Sequence, residues 1–543
     1  MQEKRTQVQE KDSEKKLTIG IIIDCLQGGG AERCAADLSV YFCRQGYPVV
    51  IFTDLSKEVR YEADGQLVDF NYKLNDQERT LAHKVEKLKG LKKQYGIDVS
   101  ISFMQFANYV NILSKTEEKI ILTTHSVNSI YAGMENSVFW SDHTFGVLYQ
   151  YADLITFPSE YCRLDWIKHY GDRNLITRTL YNPVHLMEDE GEQQGRENII
   201  LAIGRLHSIK RQWHIIQAFK QIKESCPGYK LILLGEGELR GKLEKLVDTL
   251  ELRDQVEMPG NVRNVQAYLK RARLLLLTSY CEAMPCSVME ALSAGVPVIS
   301  CDSPGGIREE LGIPESVSGV TEPVTGTCGI VTPYIREEGE NQREISYIAS
   351  EAVRLLKNEQ LRNQLAVNGK ETAQKFKIQN VGKAWLEAIS EKKRSVDQEA
   401  FEREREEQLN DRPVPSHDGM YKEYYQLLEK WMLLHEKKGS TGEYFYRHNL
   451  RRIIIYGMGK MAQHFLKDLE GTGLQIVCAM DKKAIYKQEE FPVITGEEYI
   501  PDADCIVVTV VYDYDSIRKK LETKCHIPVI SLKTILDECV DLQ

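Results

Sequence analysis

From Leu17 onward, short unbroken apolar runs alternate with longer stretches whose apolar residues recur every three or four positions. The run at 18–23 predicts a strand buried on both faces, as parallel sheets require, and 49–52, 99–103 and 120–124 predict further strands. The stretches between them predict amphipathic helices, Ala35, Leu38 and Phe42 marking one such face. The alternation starts again at 199–203 and continues through 230–234, 272–277 and 296–300. It starts a third time at 452, with further runs at 475–480, 505–511 and 528–531. Three α/β units with parallel sheets follow from this pattern.

The boundaries come from breaks in the pattern. Residues 1–16 are polar and charged and are expected to be a disordered lead. The first unit is expected over 17–190, closed by Asn182-Pro183 and the acidic segment 188–196. The second is expected over 191–395, with helices between 351 and 393 completing it. A dense charge run at 399–407 then predicts a solvated helix face, and Pro413 and Pro415 predict a linker within 396–443. Met420, Tyr424, Leu427, Leu428, Trp431 and Leu434 recur at helical spacing, so that helix must bury one side. The third unit is expected over 444–543.

Composition narrows the classes. A net charge of -10 over 543 residues argues against a nucleic-acid partner. Thirteen cysteines without CxxC or metal-like spacing fit reduced thiols in a cytoplasmic protein and give no metal site. No apolar run approaches the roughly 20 residues that cross a bilayer.

The stretch with most chemistry runs from Ser279 to Ile299. It reads as strand, loop, helix and strand, with Pro285 expected in the first helical turn and Gly295 ending the helix. Glu282 is then expected at the helix opening and Glu290 about two turns further. A helix N-terminus favours phosphate, and carboxylates accept hydrogen bonds from sugar hydroxyls. The loop after 199–203 carries Gly204, Arg205 and Lys210, two cations five apart that converge on a diphosphate or stand as ordinary exposed bases. Gly235 and Gly237 follow the next strand and are expected to let backbone approach a ligand. Asn261 and 303–306 hold similar strand-end positions, where α/β sheets place ligands.

Together these residues resemble the retaining glycosyltransferases of family 4, whose GT-B architecture pairs two facing Rossmann-like domains. The resemblance covers about 17–393 and rests on Glu282 and Glu290, the Arg205/Lys210 loop, Gly28-Gly29-Gly30-Ala31-Glu32, His125, Ser159-Glu160, Asn182-Pro183 and Gly235-Glu236-Gly237. It implies transfer from a nucleotide sugar to a glycan or lipid-linked acceptor, in cell-surface polysaccharide or glycoconjugate synthesis, with hexose or N-acetylhexosamine as the sugar. Arg205 and Lys210 would neutralise the departing diphosphate, Glu282 and His125 would hold the donor sugar, and Glu290 the nucleotide ribose. The amides of Cys286 and Ser287 would meet the diphosphate or sugar, and Gly28, Gly29 and Gly30 would approach from the first domain. No metal or cofactor is implied for transfer. Met284 and Cys286 depart from the family's usual residues, which leaves the donor sugar open.

The third unit opens with Gly457-x-Gly459-x-x-Ala462 directly after a strand, and Asp481 ends the next one. That pattern suits a dinucleotide or a nucleotide sugar, NAD(P) included. With some 95 residues and no Tyr-x-x-x-Lys pair, it lacks a dehydrogenase's catalytic half. A structural or interaction module is the other reading. A basic segment, 83–93, suggests peripheral contact with a membrane's inner face through Lys89, Lys92 and Lys93, against a plain helix burying Val85, Leu88 and Leu91. A catalytically silent nucleotide-sugar sensor remains the rival to an enzyme, and the oligomeric state is not legible.

Overall fold

The computed structural model describes residues 16–541 apart from 56–58, 71–80, 132–141, 172–174, 187–194, 315–316, 318, 337–340, 410–426, 428–429, 432–433, 435–438, 482–490, 495–499 and 511–513. The disordered lead, the acidic 188–194 stretch, the proline linker and Met420, Tyr424 and Leu428 therefore lie outside the described residues. The chain forms two compact units, one holding two seven-stranded sheets and the other a five-stranded sheet.

The first sheet runs β3-β2-β1-β4-β5-β6-β7, all parallel. Its strands are β1 Ile19–Ile22, β2 Val49–Thr53, β3 Gln66–Asp69, β4 Val99–Phe103, β5 Lys119–Thr123, β6 Leu154–Phe157 and β7 Thr177–Thr179. The second runs β10-β9-β8-β11-β12-β14-β13, parallel except for the last pair. Its strands are β8 Ile199–Ile203, β9 Lys230–Leu234, β10 Val256–Gly260, β11 Leu274–Leu277, β12 Val298–Cys301, β13 Val324–Thr325 and β14 Gly329–Thr332. In both, strand order reverses beside the first strand, which opens a crevice at the carboxyl ends.

Helix Ile378–Ser390 does not close the second sheet, where the sequence reading put it. Val381, Trp385, Ala388 and Ile389 enter the core of the first sheet beside Ile19, Ile101 and Phe103. Trp385 stacks on Phe103 with ring centroids 6.3 Å apart. Lys119 Nζ donates to the carbonyls of Ala388 at 2.6 Å and Glu391 at 2.8 Å, a cation at the helix's carboxyl end. The chain thus passes between the two sheets twice.

The charge run forms a helix that exposes Glu399, Arg403, Glu406 and Glu407, and it has a buried side as well. Helix Gln398–Leu409 buries Phe401, Arg405 and Gln408 against the first unit. Phe401 packs on Tyr151, Arg405 pairs with Glu86 at 2.6 Å, and Tyr109 Oη donates to Gln408 at 2.9 Å. Three inward residues at helical spacing were hidden among twelve mostly charged ones. In the basic segment, helix Leu81–Gln94 buries Val85 and Leu88, as an ordinary helix would, but also Lys92. Lys92 Nζ lies 2.7 Å from Glu118 Oε1, both fully buried, so it offers no charge to a membrane. No described helix is long and apolar enough to cross a bilayer.

In the other compact unit, the third α/β unit of the sequence, the order is β17-β16-β15-β18-β19, all parallel. The strands are β15 Arg452–Tyr456, β16 Gln475–Met480, β17 Val493–Ile494, β18 Cys505–Val508 and β19 Val529–Ser531. Leu427, Trp431 and Leu434 join this core, as their helical spacing predicts.

Candidate functional site

Five loops leave the carboxyl edge of the second sheet, and they hold each other through backbone. Gly235 has φ +143°, and a Cβ there would stand 2.1 Å from the carbonyl oxygen of Gly204. A Cβ on Gly237 would stand 2.3 Å from that of Leu206. These glycines therefore let the loop after β9 nest under the loop after β8. That close packing of backbone on backbone, which the sequence reading assigned to a ligand, is what the structure requires of them.

The nested loop presents Lys210, whose Nζ pairs with Glu282 Oε1. Ser279 Oγ donates to the same oxygen at 2.7 Å. Glu282 is 9% exposed and its loop is pinned at both ends: its N–H donates to Pro304 at 3.0 Å and its carbonyl accepts from Gly306 at 3.1 Å. Helix Cys286–Ser293 then opens with Pro285 as its N-cap, one residue earlier than expected, and Gly295 follows with φ +66°. Glu290 stands on that helix, while Arg205 and Asn261 are exposed at the ends of β8 and β10.

Behind Lys210 the chain turns through Arg211, a non-glycine residue at φ +51°. Its buried guanidinium donates to Ile335 O at 2.7 Å and stacks 4.7 Å from the Tyr280 ring. Thr278 Oγ1 donates to its carbonyl at 2.8 Å. Left-handed backbone costs a non-glycine residue about 1–3 kcal/mol, so these contacts hold the turn. Arg211→Gly should remove that strain yet lower turnover about tenfold, because Lys210 loses its fixed approach. Steady-state kinetics beside a melting curve check it, and unchanged turnover would show that backbone geometry alone suffices.

The first half contributes three sets of groups. Gly30, at the start of helix Gly30–Arg44, lies so near the second half that its Cβ would stand 3.3 Å from Cys286 Sγ. Arg33 on the same helix pairs with Glu290, and its Nε lies 3.8 Å from Asp37, which His185 Nε2 contacts at 2.7 Å. Glu309 accepts N–H bonds from Glu160 at 3.0 Å and Tyr161 at 2.7 Å, capping the first half's helix Glu160–Tyr170. Arg33, Asp37, His185, Glu309 and Arg211 were not singled out from the sequence. Apart from the i,i+4 pair Arg33–Asp37, these partners are too distant along the chain for a local pattern to reveal.

Burial sets the protonation of several groups. His125, after β5 and with its ring 5.6 Å from Phe103, is pushed down to about 4 by burial and is neutral at neutral pH. The Cys286 thiol is pushed up to about 12 by burial and by Glu290, which makes it a poor nucleophile. Among the described residues no three His, Cys, Asp or Glu side chains gather as a metal site.

Glu310 is 1% exposed, and neither carboxylate oxygen has a hydrogen-bond partner among the described residues. Burial, then Glu282 and Glu309, push its pKa well above the ordinary value. A raised acid binds a proton more tightly when folded, so its stabilising effect is complete below the unfolded pKa and fades as pH rises toward the folded one. Glu310→Gln should abolish this fall, leaving a chain that melts later than the parent above pH 7. Melting temperatures from pH 5 to 9 test it, and parallel curves would contradict it.

In the third α/β unit Gly457 has φ +88°, and Gly459 caps helix Lys460–Leu469. The Met458 N–H donates to Asp481 Oδ2 at 2.7 Å, and Ala462 is buried in the core. The fingerprint residues thus surround one strand-to-helix turn.

Comparison with known proteins settles the class. The profile of Glycosyltransferase Family 4 matches residues 28–188, and that of Glycosyl transferases group 1 matches 187–372. Residues 28–372 are the paired domains of a glycosyltransferase. An uncharacterized glycosyltransferase of Methanocaldococcus jannaschii is 32% identical over 260 residues, 44% of this chain and 63% of that protein. An α-1,4-N-acetyl-D-galactosaminyltransferase of Campylobacter jejuni, named for a GalNAc- and diNAcBac-bearing undecaprenyl diphosphate, is 26% identical over 396 residues, 69% of this chain and 99% of that protein. The GT-B fold of the pair is shared with Anabaena HepE, solved with UDP and glucose (TM-score 0.55, 18% identity, 69% of this chain and all of that one). It is shared too with Staphylococcus aureus TarM, solved with UDP (TM-score 0.56, 14% identity, the same coverage).

Proposed function

We propose that the paired domains transfer an N-acetylhexosamine or hexose from a uridine diphosphate sugar to a lipid-linked or glycan acceptor, with retention of anomeric configuration. The observation that carries this is Lys210 paired with Glu282 at the carboxyl edge of the second sheet. A cation for the diphosphate and a carboxylate for the sugar's hydroxyls there stand side by side. Arg205 adds an exposed cation on the Lys210 loop, and the N-terminus of helix Cys286–Ser293 offers amides to the phosphates. Glu290 takes the ribose, and neutral His125 offers a hydrogen bond to the sugar. Charge growing on the departing diphosphate is then met by groups already in place, which favours the transition state over the ground state. The Campylobacter relative and the UDP complexes of structural neighbours support the uridine donor and the polyprenyl acceptor.

The third unit, around Gly457, Gly459, Ala462 and Asp481, is read as a nucleotide-binding module that takes no part in the transfer step. Release of nucleoside diphosphate from a panel of uridine, guanosine and adenosine diphosphate sugars tests the main reading. The panel is run with and without an undecaprenyl-diphosphate-linked acceptor, and NMR of the product reads the anomer. Release confined to a guanosine or adenosine donor, or an inverted anomer, would overturn it.

A further inference from the structure

The pair Arg33–Glu290 joins residues 257 positions apart and links the first half's opening helix to the second half's nucleotide-side helix. It is partly sheltered: the side chains are 28% and 14% exposed, and Asp37 is 11% exposed. The contact is to one oxygen, Oε1, and a carboxylate offers about four acceptor positions. Arg33 can therefore hold Glu290 while Glu290 still accepts from hydroxyl groups.

We infer that Arg33 is a positioning residue for Glu290, the first domain supplying the counter-charge that keeps the second domain's nucleotide-facing carboxylate ionised and aligned. The inference rests on the reading of Glu290 as the ribose ligand. Its physical basis is the cost of a sheltered, unpaired carboxylate. Burial raises the pKa of Glu290 and Arg33 opposes that rise; Asp37 adds to it, and His185 opposes it weakly. These are the charged groups facing Glu290 from the opening helix and the interdomain segment, and Cys286 stands on its own helix. Without Arg33, Glu290 still faces Asp37, which His185 offsets less, and it takes up a proton nearer neutrality. A protonated carboxyl accepts a ribose hydroxyl's hydrogen bond more weakly. Nucleotide recognition is thereby tied to apposition of the two domains, because the ribose ligand of one needs the cation of the other.

The test is equilibrium binding of UDP-N-acetylgalactosamine to the full chain from pH 6 to 9, a donor whose diphosphate diester does not titrate in that range. Wild type should bind with a flat profile. Arg33→Met should weaken binding at least about tenfold at pH 7 and recover as pH rises, and Arg33→Lys should restore part of the loss. The Arg33→Met, Glu290→Gln double variant should bind no more weakly than Glu290→Gln alone, since two residues acting as one are not additive. Unchanged or tighter binding by Arg33→Met, with Glu290→Gln weakened, overturns the inference and leaves the ribose reading intact. Full binding by Glu290→Gln overturns the ribose reading itself and the inference that rests on it.

Discussion

Lys210→Ala is expected to lower donor turnover at least about a hundredfold, equal to about 2.7 kcal/mol of barrier, in a protein that stays folded. Lys210 is 28% exposed, so its loss opens no core cavity, and Ser279 still donates to Glu282. The change falls on charge stabilisation, and the effect should therefore appear in kcat more than in donor affinity. Lys210→Arg should recover little, because a planar fork does not replace a compact ammonium in a nested loop. Stopped-time assays of nucleoside diphosphate release decide it. Near-parental kcat in a folded Lys210→Ala chain would remove Lys210 from the reaction.

Gly305→Ala should be as damaging by a different route. Gly305 has φ +126°, and its Cβ would lie 1.6 Å from the carbonyl oxygen of Glu282. No side-chain rearrangement relieves a clash between two backbones, so the loop after β12 must withdraw from the loop after β11. The bridge between Glu282 and Gly305 then opens, and the carboxylate loses its fixed place beside Lys210. Turnover should fall at least about a hundredfold, with a stability loss of roughly 3 kcal/mol. Gly90→Ala serves as the control: Gly90 is an exposed position of helix Leu81–Gln94, its Cβ would meet no described atom within 4 Å, and the change should gain about 0.5–1 kcal/mol. Urea unfolding and turnover measured together separate the two effects. Gly305→Ala with parental activity would mean that Glu282 needs no such closeness.

These loops show what a sequence can and cannot display. Strands Ile199–Ile203 and Lys230–Leu234 stand where the apolar runs put them, because a strand buried on both faces has no polar alternation to confuse it. Edge strands Gln66–Asp69 and Thr177–Thr179 passed unseen. Gln66–Asp69 is mostly exposed and Thr177–Thr179 half-buried, and their place is fixed by pairing to a neighbour. Glu282 and Lys210 could be singled out because each follows a legible strand, and carboxyl ends of parallel strands converge. Arg33 and Glu309 could not, since an isolated charge on a helix gives no sign of a partner across a crevice. Phe401, Arg405 and Gln408 were masked by composition: seven charged or polar neighbours outweighed one stripe.

The helix that ends at Ser390 bears on how the chain is made. The last strand of the first sheet ends at Thr179, yet Trp385 and Ile389 fill that sheet's core. At about 5–20 residues per second, some 200 residues of synthesis separate the two, roughly ten to forty seconds. During that interval the first domain carries an open apolar slot on a nascent chain, and it can seal only after the second domain has emerged. Folding of the two halves is therefore interleaved in time, and a ribosome paused between residues 180 and 385 holds an unsealed domain that is a substrate for chaperones.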